Sequence, residues 1–217
     1  MKYVNQREHV VTLCLELSRR GYFAGTGGNI MLRLDSEHVA VTPSATDYHT
    51  MSAATVCVLR LGDLHQLDGE AAPSVESGLH ASVLRARPEI GCSIHTHQPV
   101  ASALALLGDE ISVPSRWRPT LGPRIPVVGY APSGSSWLSS KFGHTVHPDI
   151  NAYLMYNHGI LCCGRDSAAA MKALDDLEAL ARSLLDQRIS QHAATATPAQ
   201  GQALLRARSA LNDRSTS

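Results

Sequence analysis

The chain lacks any excess of charge: nineteen basic residues balance nineteen acidic ones among 217. That balance argues against a general nucleic-acid or anionic-membrane surface. No apolar run approaches the roughly 20 residues of a membrane span. The opening Met1-Lys2-Tyr3-Val4-Asn5-Gln6-Arg7-Glu8 lacks the apolar core of a secretory signal. Cysteine is sparse, five residues at Cys14, Cys57, Cys92, Cys162 and Cys163, with no Cys-x-x-Cys spacing. An odd set of this kind reads as reduced, mostly buried thiols of a cytoplasmic protein rather than a disulfide framework. Internal repeats are missing too. What remains is length for one full-sized domain, 44% hydrophobic residues and eleven histidines.

The chemistry gathers in Cys92-Ser93-Ile94-His95-Thr96-His97. Alternate side chains of a β-strand share a face, so His95 and His97 lie side by side, roughly 6–7 Å apart. A third imidazole is available at His158, in Tyr156-Asn157-His158-Gly159-Ile160, where an apolar run over residues 152–156 meets a turn. Three nitrogen ligands with one position open suit a metal that handles substrate, here a small anionic molecule. Ordinary structural histidines are the alternative, and spacing alone leaves it open. A second pair, His144 and His147, stands between Gly143 and Pro148, which suggest a loop, and reads as structural or as a subunit contact.

Val4, Val11, Cys14, Leu15 and Leu17 predict a helix over residues 3–20, stopped by Gly21. Gly25-Thr26-Gly27-Gly28-Asn29 then leads into a strand at 30–34. The order helix, loop, strand is not that of a dinucleotide fingerprint. Such a loop can still turn backbone N–H groups towards an anion, or be only a tight connection. Further strands are predicted at 38–42, 55–61, 64–67, 125–128 and 152–156, and helices at 99–107, 135–142 and 166–189. Pro73-Ser74-Val75-Glu76 opens another helix, with Ser74 as N-cap and Glu76 in the first turn. Asp166 or Ser167 caps the long last helix. The predicted division is a domain over 1–192 and a tail over 193–217, with linker composition at 195–200 and a helical stretch at 204–211. Strands separated by helices predict a three-layer α/β domain with a mixed or largely antiparallel sheet.

Gly27-Gly28-Asn29, Thr42-Pro43-Ser44, Pro73-Ser74-Val75-Glu76, His95-Thr96-His97 and Asn157-His158-Gly159 together resemble the class II aldolase/adducin family, over residues 5–188. The resemblance implies a three-layer α/β/α fold with a central, mainly antiparallel sheet. It implies a metal-dependent lyase that cleaves or forms a carbon–carbon bond in a small sugar, sugar phosphate or related ketose. It also implies one divalent ion per chain, zinc first with Mn2+, Co2+ or Fe2+ as alternatives, on His95, His97 and His158. Glu76 becomes the acid/base carboxylate, and the assembly a homotetramer with sites between subunits. Such an ion stabilises, as a Lewis acid, the enediolate that cleavage leaves. Glu76 would move the proton, aided if partial burial raises its pKa towards neutral.

The positions that bind substrate phosphate in the family fall on Gly28, Asn29, Ser44 and Ser74. Ala45 and Val75 depart from the pattern, standing where the family carries glycine and serine, and put a phosphorylated substrate in question. Ser115 stands near a position that the family's aldolases fill with tyrosine, beside Arg116-Trp117-Arg118. Arginines there can clamp a carboxylate, as a decarboxylase of a small keto or hydroxy acid would need. Surface or subunit contacts are the other reading of Arg116 and Arg118, and interface packing that of Trp117 and Trp137. An epimerase is disfavoured, because those relatives carry an aspartate-containing motif at Ser74-Val75-Glu76. A non-catalytic, adducin-like binding module is the remaining alternative, and the complete set of histidines with Glu76 speaks against it.

Overall fold

Adjacent residues of one strand serve different cores: Cys162 packs into one and Cys163 into the other. This is the two-residue period of a sheet covered on both faces. The computed structural model describes residues 1–23 and 25–213, with side chains to residue 210. Its elements in order are α1 (Val4–Arg19), β1 (Asn29–Arg33), β2 (His38–Val41), β3 (Cys57–Arg60), β4 (Gln66–Asp68), α2 (Ser77–Ala86), β5 (Cys92–Thr96), α3 (Pro99–Ala105) and β6 (Ile111–Ser112). A 3-10 turn (Ser115–Trp117) follows, then α4 (Arg118–Leu121), β7 (Arg124–Ile125), β8 (Val127–Val128), α5 (Ser136–Thr145), β9 (Ala152–Met155), β10 (Gly159–Gly164), α6 (Ser167–Thr195) and α7 (Pro198–Asp213).

The main sheet runs β4-β3-β2-β1-β5-β10-β9-β8. Its pairings are antiparallel except β8 with β9. Helices α1, α3 and α6 cover the face bearing Ile30, Ile94, Leu154, Ile160 and Cys162. Helices α2 and α5 cover the face bearing Met31, Leu59, Tyr153, Leu161 and Cys163. The fold is therefore the three-layer α/β/α arrangement that the resemblance implied. All five cysteines are free and buried. No helix among the described residues is long and apolar enough to cross a membrane.

Several boundaries differ from the sequence reading, each for a local reason. The single strand expected at 125–128 is two, because Pro126 has no N–H to donate to a ladder. β7 pairs with β6 in a separate two-stranded sheet, and β8 joins the main one. β10 was not anticipated, since all six of its positions are buried and show no alternation to read. The N-cap of α2 is Glu76 rather than Ser74, with no side-chain cap bond, and the helix begins at Ser77. His144 lies inside α5 rather than in a loop, exposed as His147 is. Asp166 caps α6 by accepting from the Ala169 N–H at 2.8 Å. That helix runs on past 189 to Thr195, and α7 already starts at Pro198, so the expected linker shrinks to two residues. Arg208 of α7 pairs with Asp186 of α6 at 2.5 Å. Of the expected tail, 214–217 lie outside the described residues.

Candidate active site

Strand β5 lies in the middle of the sheet, with His95 opposite Asn29 of β1 and Leu161 of β10. His95 is consequently fully buried, while His97, just past the strand end, is exposed. His158 arrives from the turn between β9 and β10. Asn157 holds that turn at φ 53, a left-handed conformation that asparagine tolerates. The His158 N–H closes it onto the Met155 carbonyl at 3.1 Å. Gly159 follows because nothing larger fits: a Cβ there would meet His97 Cδ2 and the Thr96 carbonyl at 2.6 Å each.

These placements bring the three imidazoles together, with one ligand-capable nitrogen of each within 4.8 Å of the others. The Nε2 atoms of His95 and His97 are 3.1 Å apart. His95 Nδ1 donates to the Ile160 carbonyl at 2.7 Å, which fixes the tautomer and leaves the Nε2 lone pair facing the cluster. His158 Nδ1 is buried with no hydrogen-bond partner among the described residues. Burial pushes His95 down to about 3. His97 is also shifted down, first by its partial removal from water and then by the neighbouring His158. Neutral imidazoles are the metal-ligating form, so the donor set fits a divalent ion with an open side at His97.

Glu76 lies against this cluster and is 5% exposed. Its Oε1 accepts the Ser133 hydroxyl at 2.7 Å and stands 3.0 Å from His158 Nε2. Its Oε2 accepts from Asn29 Nδ2 at 2.8 Å and stands 3.3 Å from His95 Nε2. Burial by itself would raise the carboxyl, but the His158 hydrogen bond, the His95 imidazole, Ser133 and Asn29 outweigh it. They hold the group well below the usual carboxylate range. This corrects the expectation that burial brings Glu76 towards neutral: both oxygens are supplied with donors.

Behind Glu76, Asn29 Oδ1 lies 2.6 Å from Nε2 of His80, and His80 Nδ1 lies 2.7 Å from Ser93 Oγ. Burial pushes the His80 imidazole down to about 4, against the upward pull of the Glu76 charge. Neither His80 nor Ser133 was singled out from the sequence. His80 follows Glu76 by four residues, a helical spacing that could have marked it. Ser133 reaches the site from a distant loop and carries no such signal.

Gly28 and Asn29 adjoin His95. Gly28 has φ +101, and a Cβ there would meet the Phe23 ring at 2.4 Å and the His95 carbonyl at 3.1 Å. Ser74 and Ser44 sit on segments held side by side, with Ser74 N–H on the Thr42 carbonyl at 3.0 Å and Ser44 N–H on the Ala72 carbonyl at 2.9 Å. The Ser74 hydroxyl oxygen accepts the Glu76 N–H at 3.2 Å, so its own O–H can donate elsewhere. Ala45 occupies φ 48, a glycine-like conformation that costs an alanine roughly 1–2 kcal/mol. Val75 is 66% exposed beside Gly134. Arg116 stacks on Trp117 at 3.6 Å and Arg118 donates to the Val113 carbonyl at 2.8 Å, contacts that tie both to their own segment. Trp137 is exposed under Lys141, 4.3 Å from the ring centre. A cavity of about 970 Å³ between α1, α3, α6 and α7 shares no lining residue with the histidines.

The chain belongs to the family described as Class II Aldolase and Adducin N-terminal domain, whose model matches residues 8–185. It is 30% identical over 175 residues to 5-deoxy-D-ribulose 1-phosphate aldolase of Bacillus thuringiensis serovar kurstaki, covering 80% of this chain and 81% of that one. It is 28% identical over 196 residues to methylthioribulose-1-phosphate dehydratase of Serratia proteamaculans, covering 85% and 96%. The solved structure of an L-fuculose 1-phosphate aldolase superposes with a TM-score of 0.76 at 24% identity, covering 84% of this chain and 85% of that one, a likeness of fold.

Proposed function

We propose that the protein is a metal-dependent lyase that cleaves or forms a carbon–carbon bond in a small sugar phosphate or related ketose. The observation that carries this reading is one buried carboxylate facing two of three clustered imidazoles. His95, His97 and His158 would hold one divalent ion, zinc first. When bound, such an ion polarises the substrate carbonyl and stabilises the negative charge that develops beside it. Glu76 moves the proton at that carbon, with Asn29 and Ser133 fixing its two oxygens. Gly28, Asn29, Ser44 and Ser74 receive the anionic end of the substrate. The relatives named as sugar-phosphate aldolases support this, as does the spare donor capacity of Ser74 and of the Asn29 amide.

A homotetramer closing its sites between subunits is part of the same proposal. Val75 beside Glu76 and Tyr156 beside the His158 turn are large apolar side chains left 66% and 43% exposed, which a second copy would cover. The protein would work in the cytoplasm. One relative is named a dehydratase, and loss of water from a ketose phosphate can also begin with removal of a proton next to the carbonyl, so water elimination is the second reading. A decarboxylase is the third reading: Arg116 and Arg118 are exposed, and beyond the Trp117 stack and the single bond to Val113 their guanidiniums keep donors for a carboxylate. Incubating metal-loaded protein with a panel of ketose 1-phosphates and unphosphorylated ketoses tests the reading. Chelator-sensitive release of an aldehyde is expected. Dehydrated product without aldehyde would select the second reading, and CO₂ release from keto acids would reject both.

A further inference from the structure

We infer that His80 is a positioning residue, which sets the direction of a one-way hydrogen-bond chain that aims Asn29 at the Glu76 carboxylate. This rests on the acid/base reading of Glu76. The chain has four members across three elements. Ser93 Oγ is 2.7 Å from His80 Nδ1, His80 Nε2 is 2.6 Å from Asn29 Oδ1, and Asn29 Nδ2 is 2.8 Å from Glu76 Oε2.

The polarity follows from the end that carries the carboxylate. Carboxylate oxygens only accept, so Asn29 must present its NH₂ to Glu76. Its carboxamide oxygen is then left facing His80, and that oxygen too only accepts. Nε2 of His80 therefore carries the proton. A neutral imidazole has one N–H, so Nδ1 is the acceptor and the Ser93 hydroxyl is the donor. With the other tautomer, Asn29 Oδ1 would confront a lone pair at hydrogen-bond distance. The amide could escape only by flipping, which would turn its oxygen onto the carboxylate.

The setting makes this arrangement strict. His80 and Ser93 are fully buried and Asn29 is 6% exposed, so water is not at hand to replace a lost partner. Among the described residues His80 has no hydrogen bond to the carboxylate or to the three clustered imidazoles, and its hydrogen-bonded link to Glu76 runs through Asn29. Asn29 has a second N–H, and the same constraint decides where that donor points. One buried histidine thus orients the amide that holds the proton-moving carboxylate.

The test reads the tautomer directly. In the full chain, ¹⁵N-labelled at histidine, long-range proton–nitrogen correlation identifies the protonated nitrogen of His80 at neutral pH. The measurement is made on metal-free and on zinc-loaded protein. Nε2–H with bare Nδ1 is expected in both, and Nδ1–H or a doubly protonated ring overturns the inference. Turnover supplies the second readout. His80→Leu is expected to lower kcat about tenfold to a hundredfold, with the zinc stoichiometry retained. His80→Gln keeps a donor that reaches Asn29 Oδ1 and is expected to recover most of the loss. Equal losses in the two variants, or zinc lost along with turnover, would mean that His80 only fills space and would overturn it. If the chain turns over none of the panel, the lyase reading fails, and the tautomer in the unmodified protein still decides this inference by itself.

Discussion

Nε2 of His158 stands 3.0 Å from one oxygen of Glu76, and Nε2 of His95 stands 3.3 Å from the other. A single carboxyl group therefore spans two of the three imidazoles from the buried side, leaving the exposed His97 at the mouth. Glu76→Gln keeps the shape and removes the base. A fall in kcat of roughly 10²–10⁴ is expected, with metal content unchanged by elemental analysis. Turnover equal to the parent's would remove Glu76 from the mechanism.

Ser133 donates to Glu76 Oε1 at 2.7 Å, and that bond favours the ionised carboxyl. Ser133→Ala withdraws the donor, so protonation sets in at higher pH than in the parent. The acid limb of the pH profile of kcat/KM is expected to move upward, as stopped or continuous assays across the acid range would reveal. An unmoved limb would show that the serine does not tune this group.

Much of this arrangement was legible in the sequence, and the reasons are physical. Strand alternation alone puts His95 and His97 on one side, and an Asn-His-Gly turn after an apolar run marks His158. Other features were hidden because their cause lies outside the local pattern. Ser133 reaches Glu76 across 57 residues of chain. The six residues of β10 are all buried and carry no period. Glu76 reads as a first-turn helix residue, and nothing local shows that the helix starts only at Ser77 and leaves the carboxyl free to face the imidazoles. Its protonation state went the wrong way for the same reason, since burial is local but the donors that outweigh it come from β1, the His158 turn and the Ser133 loop.

Gly159 lets its backbone lie directly against the cluster. A Cβ there would lie 2.6 Å from His97 Cδ2 and the Thr96 carbonyl, and 3.1 Å from His95 Cε1. Gly159→Ala must displace an imidazole or part β5 from β10. Weaker metal binding, by about tenfold or more in a competitive chelator titration, is expected together with a native-like circular dichroism spectrum. Parent-like affinity would show that the imidazoles have room which the packing denies them.

Two buried histidines link stability to pH in the metal-free protein. Burial pushes His80 down to about 4 and His95 to about 3, against about 6.5 for a histidine in the unfolded chain. Between those limits the unfolded chain binds more protons than the folded one. Their contribution is thus present in full above about pH 6.5 and is lost as the pH falls through 6 and 5 towards 4. The midpoint of urea unfolding is expected to drop steadily across that window. A flat midpoint would mean that these imidazoles are not held neutral by the fold.

The central claim is that three imidazoles, two from β5 and its edge and one from the β9–β10 turn, hold one divalent ion. Elemental analysis of gently purified parent protein and of the separate His95→Ala, His97→Ala and His158→Ala variants tests it most directly. About one metal per chain in the parent and a marked loss in each variant is the predicted result. A metal-free parent that cannot be reloaded, or variants that all retain the parent's metal, would contradict the account.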